Sequence, residues 1–165
     1  MPAPQLDHTG IQMAQLPPLR SDGVNFTRLF DGAGSLADDE LMVNRSATQN
    51  AAFLGFQPDI LITELFPFGR RILSDEFLSL LDTAKALPSP PVILSSIRDI
   101  LAPPSKPAKA TRADDIITAY YDAVLVHSDP NSTRLDQSWP VSQKLAPYVC
   151  YTGYVAAPAA MDPTS

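Results

Sequence analysis

Four apolar runs in this sequence are each followed by side chains capable of chemistry. Glu64, Gly69, Arg70 and Arg71 follow Ile60-Leu61-Ile62-Thr63; Arg98 and Asp99 follow Val92-Ile93-Leu94-Ser95. His127 and Asp129 follow Ala123-Val124-Leu125-Val126, and Thr152, Gly153 and Tyr154 follow the run from Tyr148 to Tyr151. A carboxylate such as Glu64 or an imidazole such as His127 can take a proton from a hydroxyl. Guanidinium groups at Arg70, Arg71 and Arg98 can grip phosphate or carboxylate oxygens. Each group also has a plainer structural reading. Arg70-Arg71 can be the solvated start of a helix, Arg98-Asp99 a local ion pair, His127 a hydrogen-bonded structural residue, and Glu64 a cap.

The elements that would position these groups follow from periodicity. The runs at 60–63, 92–95 and 123–126 are apolar without polar alternation, which predicts strands covered on both faces. Ile11 to Leu16 (IQMAQL) predicts a short strand ending at Pro17-Pro18, and residues 20–34 a loop. Ser35 with Asp38 predicts a helix start, Val43, Ala47, Ala51 and Leu54 its buried stripe, and Gly55 its stop. Ser74 caps a second predicted helix that buries Phe77, Leu81 and Ala84 and ends before Pro88. Thr111 with Asp114 opens a third, with Ile116, Ile117, Tyr120 and Tyr121 as its apolar positions, and a short helix near Val141 to Leu145 precedes the last strand. Strand–helix alternation of this kind implies a doubly wound parallel sheet. Ligands of such sheets bind outside the carboxyl ends of the strands, where the polar residues fall.

Composition narrows the function classes. The chain has 165 residues, 45% of them hydrophobic and 18% charged, enough for one domain with a real core. Its net charge of −6 leaves no basic stripe for a nucleic-acid backbone. A single cysteine, Cys150, rules out an intrachain disulfide and a cysteine-based zinc site, and inside a strand it reads as a small buried hydrophobe. Two histidines far apart suggest no metal cluster; His8 is expected in a frayed start over residues 1–10, and Trp139 in packing. No G-x-G-x-x-G, G-x-x-x-x-G-K-[ST] or G-x-S-x-G is present. The sequence shows no secretory layout, and its longest greasy stretch, Ala51 to Phe68, is broken by Gln57-Pro58-Asp59. The expected location is cytoplasmic, with attachment to the inner face of a membrane left open.

Four phrases in order, PDILITELFPFGRR, PPVILSSIRDIL, YYDAVLVHSDP and YVCYTGYV, resemble the glycosyltransferases related to the N-acetylglucosaminyltransferase of peptidoglycan synthesis. The resemblance spans about residues 11–155. It implies a GT-B architecture of two Rossmann-like domains, with this chain as the N-terminal, acceptor-side one and residues 156–165 as a tail or the start of an interdomain linker. It further implies inverting hexosyl transfer from a nucleotide-sugar, UDP-linked, to an acceptor hydroxyl, with a glycan or lipid-linked acceptor. The chain itself would hold no cofactor. The donor would sit on a C-terminal domain, or on a separate chain supplying it. By the same resemblance Glu64, Phe66, Phe68, Arg70, Arg71, Arg98 and Asp99 would line the acceptor side, with Phe66 and Phe68 packing on a sugar face or covering the sheet end.

The family opens with a strand, a loop containing Gly and His, and a helix before the strand that IQMAQL resembles; that loop is where its catalytic base is usually sought. The sequence starts without it, leaving Glu64 and His127 as the candidates for that role. The expectation is therefore an acceptor-side fragment, inactive by itself, with an exposed strand edge that favours self-association. PDILITELFPFG also resembles the phosphoacceptor segment of response-regulator receiver domains, with Glu64 in place of the phosphorylated Asp. That alternative implies a non-enzymatic, pseudo-receiver interaction module.

Overall fold

The computed structural model describes residues 10–23 and 28–155, so His8 lies outside the described residues. Packing divides the chain into two compact units, residues 1–57 and 58–165.

In the first unit, IQMAQL forms no strand. The run is followed at once by Pro17-Pro18, neither of which can donate to a ladder. A two-residue pair forms instead in the predicted loop: β1 (Arg20–Ser21) lies antiparallel to β2 (Leu29–Phe30). The Asp31 carboxylate accepts from the amides of Ala33 and Ser35 at 2.9 and 2.8 Å, and the Ala37 amide donates to Leu29 O. Ser35 is thus tied into the turn, and helix α1 (Asp39–Phe56) begins later, capped by Asp38, whose Oδ1 accepts from Leu41 N at 2.8 Å. Gly55 lies inside the helix; the stop is Gln57, in the left-handed region at φ 50°.

The predicted buried stripe of α1 points outward. Val43 and Leu54 are 68% and 45% exposed, and Ala47 and Ala51 are exposed too. Apolar residues occur all around this helix, so spacing alone does not select a face. The face that is buried carries Phe53 and Arg45, whose guanidinium donates to Pro17 O.

The second unit is Rossmann-like α/β. Its elements are β3 (Ile60–Glu64), α2 (Ser74–Lys85), β4 (Val92–Arg98), α3 (Pro107–Tyr120), β5 (Ala123–His127) and β6 (Val149–Tyr151). All neighbouring strands are parallel, in the order β3-β4-β5-β6. Thr111 does not open α3: Pro107 does, at the first helical position, where its missing N–H costs nothing. Likewise α2 starts from a single 3₁₀ turn at Arg71–Leu73, without a side-chain cap from Ser74. In place of the helix expected near 141–145, a 3₁₀ turn at Ala146–Tyr148 leads into β6.

Because the strands run in chain order, successive right-handed crossovers step the same way and share one face of the sheet. The helices accordingly touch: Tyr120 on α3 donates to Asp82 on α2 at 2.7 Å, and Arg112 reaches Ser74 at 3.4 Å. Double winding would need a second crossover direction, which the described strands of this unit do not show. Within this unit the described helices therefore cover one face of the strands and not both. Ile93, Ile97, Val124 and Val126 are at most 2% exposed and form the core with Leu81, Ala84, Ile117, Leu135 and Leu145. On the other face Ile60, Ile62 and Val92 are 54, 55 and 48% exposed. Cys150 belongs to that face as well and is exposed, contrary to its reading as a buried hydrophobe.

Candidate functional site

Strand register decides which polar groups meet at the carboxyl edge of this sheet. Side chains alternate between faces, so Glu64 on β3 and Ser96 on β4, which are register partners, share the open face. Arg98, two residues beyond Ser96, pairs in register with His127 on β5. Thr152 extends β6 through its amide, which donates to Val126 O at 3.0 Å. Glu64, Ser96, Arg98 and His127, with Ile97, Tyr154 and Val155, line a shallow depression of about 350 Å³.

The loop after β3 sorts its own residues. Leu65 sits in the left-handed region at φ 65°, and its amide donates to Ser96 O at 2.8 Å. The Gly69 amide returns to Leu65 O at 2.7 Å, and a Cβ at Gly69 would lie 2.8 Å from the Leu65 Cγ, so any larger residue would make the Leu65 side chain move. The loop turns Phe66 and Phe68 inward, at 1 and 3% exposure. Phe66 stacks on Phe77 with ring centres 4.6 Å apart, and Phe68 meets Trp139 edge-on at 5.2 Å. Neither ring is available to a sugar or lipid; both are core, for the ordinary reason that burying an aromatic side chain is worth several times an exposed contact. The Phe66 carbonyl accepts from Ser95 Oγ at 2.7 Å and from Thr63 Oγ1 at 3.3 Å. Thr63 in turn shares a 2.8 Å hydrogen bond with the Tyr121 hydroxyl, whose phenol burial pushes well above its ordinary range.

The arginines differ in what they do. Arg70, at φ 52°, directs its guanidinium onto the Glu64 carboxylate, with Nε 3.1 Å from Oε2. The two side chains remain 47 and 57% exposed, so this pair contributes about 0–1 kcal/mol and screens easily. Arg71 donates to Phe68 O and braces the loop from outside the depression. Arg98 makes no ion pair with Asp99; among the described residues its guanidinium has no partner. Asp99 instead accepts from the Ile100 amide at 2.9 Å, a local turn.

His127 is held at both ring nitrogens. Nε2 lies 2.8 Å from Ser96 Oγ and Nδ1 lies 2.8 Å from Thr152 Oγ1. The structure thus brings Glu64, Arg70, Arg98 and His127 together, leaves Arg71 and Asp99 outside, and buries Phe66 and Phe68. Sequence reasoning missed Ser96, which it took to lie past the strand. Its signal was strand alternation: a hydroxyl two residues before Arg98 must share that residue's face. Among the described residues, no three His, Cys, Asp or Glu side chains come together in a way that could hold a metal ion. No helix among them is long and apolar enough to cross a membrane. No protein-family model, curated protein or solved structure matches the chain.

Proposed function

We propose that this chain is the acceptor-side part of a glycosyltransferase that moves a hexosyl group, with inversion, from a nucleotide-sugar to an acceptor hydroxyl. The observation that carries the reading is the depression at the carboxyl edge of the parallel sheet, where Glu64, Arg98 and His127 meet. This is where open parallel sheets take their ligands. The sequence resemblance supplies the reaction class, and a partner domain or separate chain would supply the donor site.

In this reading Arg98, with no competing carboxylate on its guanidinium among the described residues, receives an anionic group of the acceptor, as a phosphate or carboxylate. His127 or Glu64 takes the acceptor's hydroxyl proton as the glycosidic bond forms. The Glu64 carboxylate is already engaged by Arg70, whereas His127 is held by hydroxyls alone.

Calorimetric titration of the full chain with a diphosphate-linked amino sugar tests the proposal. Binding is expected, with Arg98→Ala weakening it about tenfold or more, the cost of one charge-assisted contact. An absence of binding, or binding indifferent to Arg98→Ala, overturns it. The former is also the outcome an interaction module of the pseudo-receiver kind would give.

A further inference from the structure

The hydrogen bonds around His127 have a direction. The Thr152 hydroxyl owns one proton, and two groups that can only accept lie within its reach: Gly153 O at 3.1 Å and Val126 O at 3.4 Å. Given to a carbonyl, that proton leaves Thr152 Oγ1 as the acceptor for His127 Nδ1–H at 2.8 Å. The neutral imidazole then carries its lone pair on Nε2, 2.8 Å from Ser96 Oγ. Nucleophile, base and orienting group stand in line across β4, β5 and the extension of β6, on strands whose register is fixed. Ser96 and His127 are only partly buried and both line the depression, so the pair is reachable. Arg98, two residues along the same face, leaves a cation beside the hydroxyl.

We propose that Ser96 is a nucleophile activated by His127, acting on small esters that carry an anionic group held by Arg98, with Thr152 as a positioning residue. As Ser96 Oγ bonds to the ester carbonyl carbon, its proton passes to His127 Nε2. The bond from that carbon to the alcohol oxygen then breaks, and His127 returns the proton to the departing oxygen. Water repeats the sequence: it gives a proton to His127, adds its oxygen to the carbonyl carbon, and releases the acid as Ser96 recovers its hydrogen. This chemistry needs neither a donor sugar nor a second domain, so it stands or falls apart from the transferase reading.

The test is covalent labelling of the full chain with an uncharged fluorophosphonate, the modified peptide being identified by mass. Ser96 is expected to label faster than every other serine, and Ser96→Ala to remove that label. His127→Gln should slow it about 100-fold or more, the usual worth of a general base. Thr152→Val should slow it about tenfold, with Thr152→Ser restoring the rate, a rescue that a packing role would not give. Arg98→Ala should slow turnover of a succinate monoester relative to the matching acetate. Ser96 labelling no faster than its fellow serines overturns the proposal. So does a wild-type labelling rate in His127→Gln or Thr152→Val at unchanged circular dichroism. Equal loss of succinate and acetate turnover in Arg98→Ala overturns the assignment of an anionic substrate.

Discussion

Along β4, Ile93, Ser95 and Ile97 are 0–2% exposed, while Val92, between them and the chain's preceding turn, is 48% exposed. Leu94 and Ser96 are only partly covered and Arg98 is open. The same alternation runs through β3, where Thr63 is 3% exposed and Ile62 is 55% exposed. Two faces of one sheet, both rich in aliphatic side chains, thus have opposite fates. What separates them is the direction of the crossovers, which carries α2 and α3 to the same side. The covered face is where stability resides, and the open face is where Ser96, Arg98 and His127 remain accessible.

The sharpest way to break this contrast is to shorten one isoleucine on each face. Ile97→Ala, at 2% exposure, should cost about 2–5 kcal/mol in urea denaturation, the usual range for emptying a packed site. Ile62→Ala, at 55% exposure, should cost well under that, about 0.5 kcal/mol. Equal losses would mean that something covers the open face in solution. An effect smaller than that of Ile97→Ala is expected at Tyr121→Phe, which deletes the 2.8 Å hydrogen bond to Thr63 beneath the covered face and should cost about 1 kcal/mol.

Tyr121 also gives the covered face a pH signature. Burial raises its phenol above the unfolded value, so the fold prefers the neutral form. The stability this confers is whole below about pH 10 and is lost as pH climbs beyond it. Tyr121→Phe should flatten the alkaline limb of a stability–pH curve and leave the neutral region parallel to wild type. Another small effect belongs to the open face: Glu64→Gln removes the exposed pair with Arg70 and should change stability by no more than about 1 kcal/mol, less in high salt.

Much of the second unit was legible in sequence. β3, β4 and β5 fall within a few residues of the apolar runs, because contiguous β-branched residues bounded by Pro and Asp have few other uses. Their two-sided burial was not legible, since a run such as Ile60 to Ile62 is equally apolar whether or not a layer covers it. The candidate site was legible at Glu64, Arg70, Arg98 and His127, which follow from the carboxyl-edge rule. Phe66 and Phe68 were not, because the left-handed backbone at Leu65 decides where the loop sends its rings, and Leu65 carries no mark of it. In the first unit the failure lies with α1. Its apolar residues surround the axis, and the inward choice of Arg45 rests on a long-range bond to Pro17 that no local pattern encodes.

Cys150, the sole thiol of the chain, sits on the open face opposite Leu125 in register, one strand from the depression. An environment-sensitive dye attached there would mark a single position, with no competing sulfhydryl to remove first. Its emission would register directly whether a ligand, a companion domain or another copy comes to rest on the bare strands.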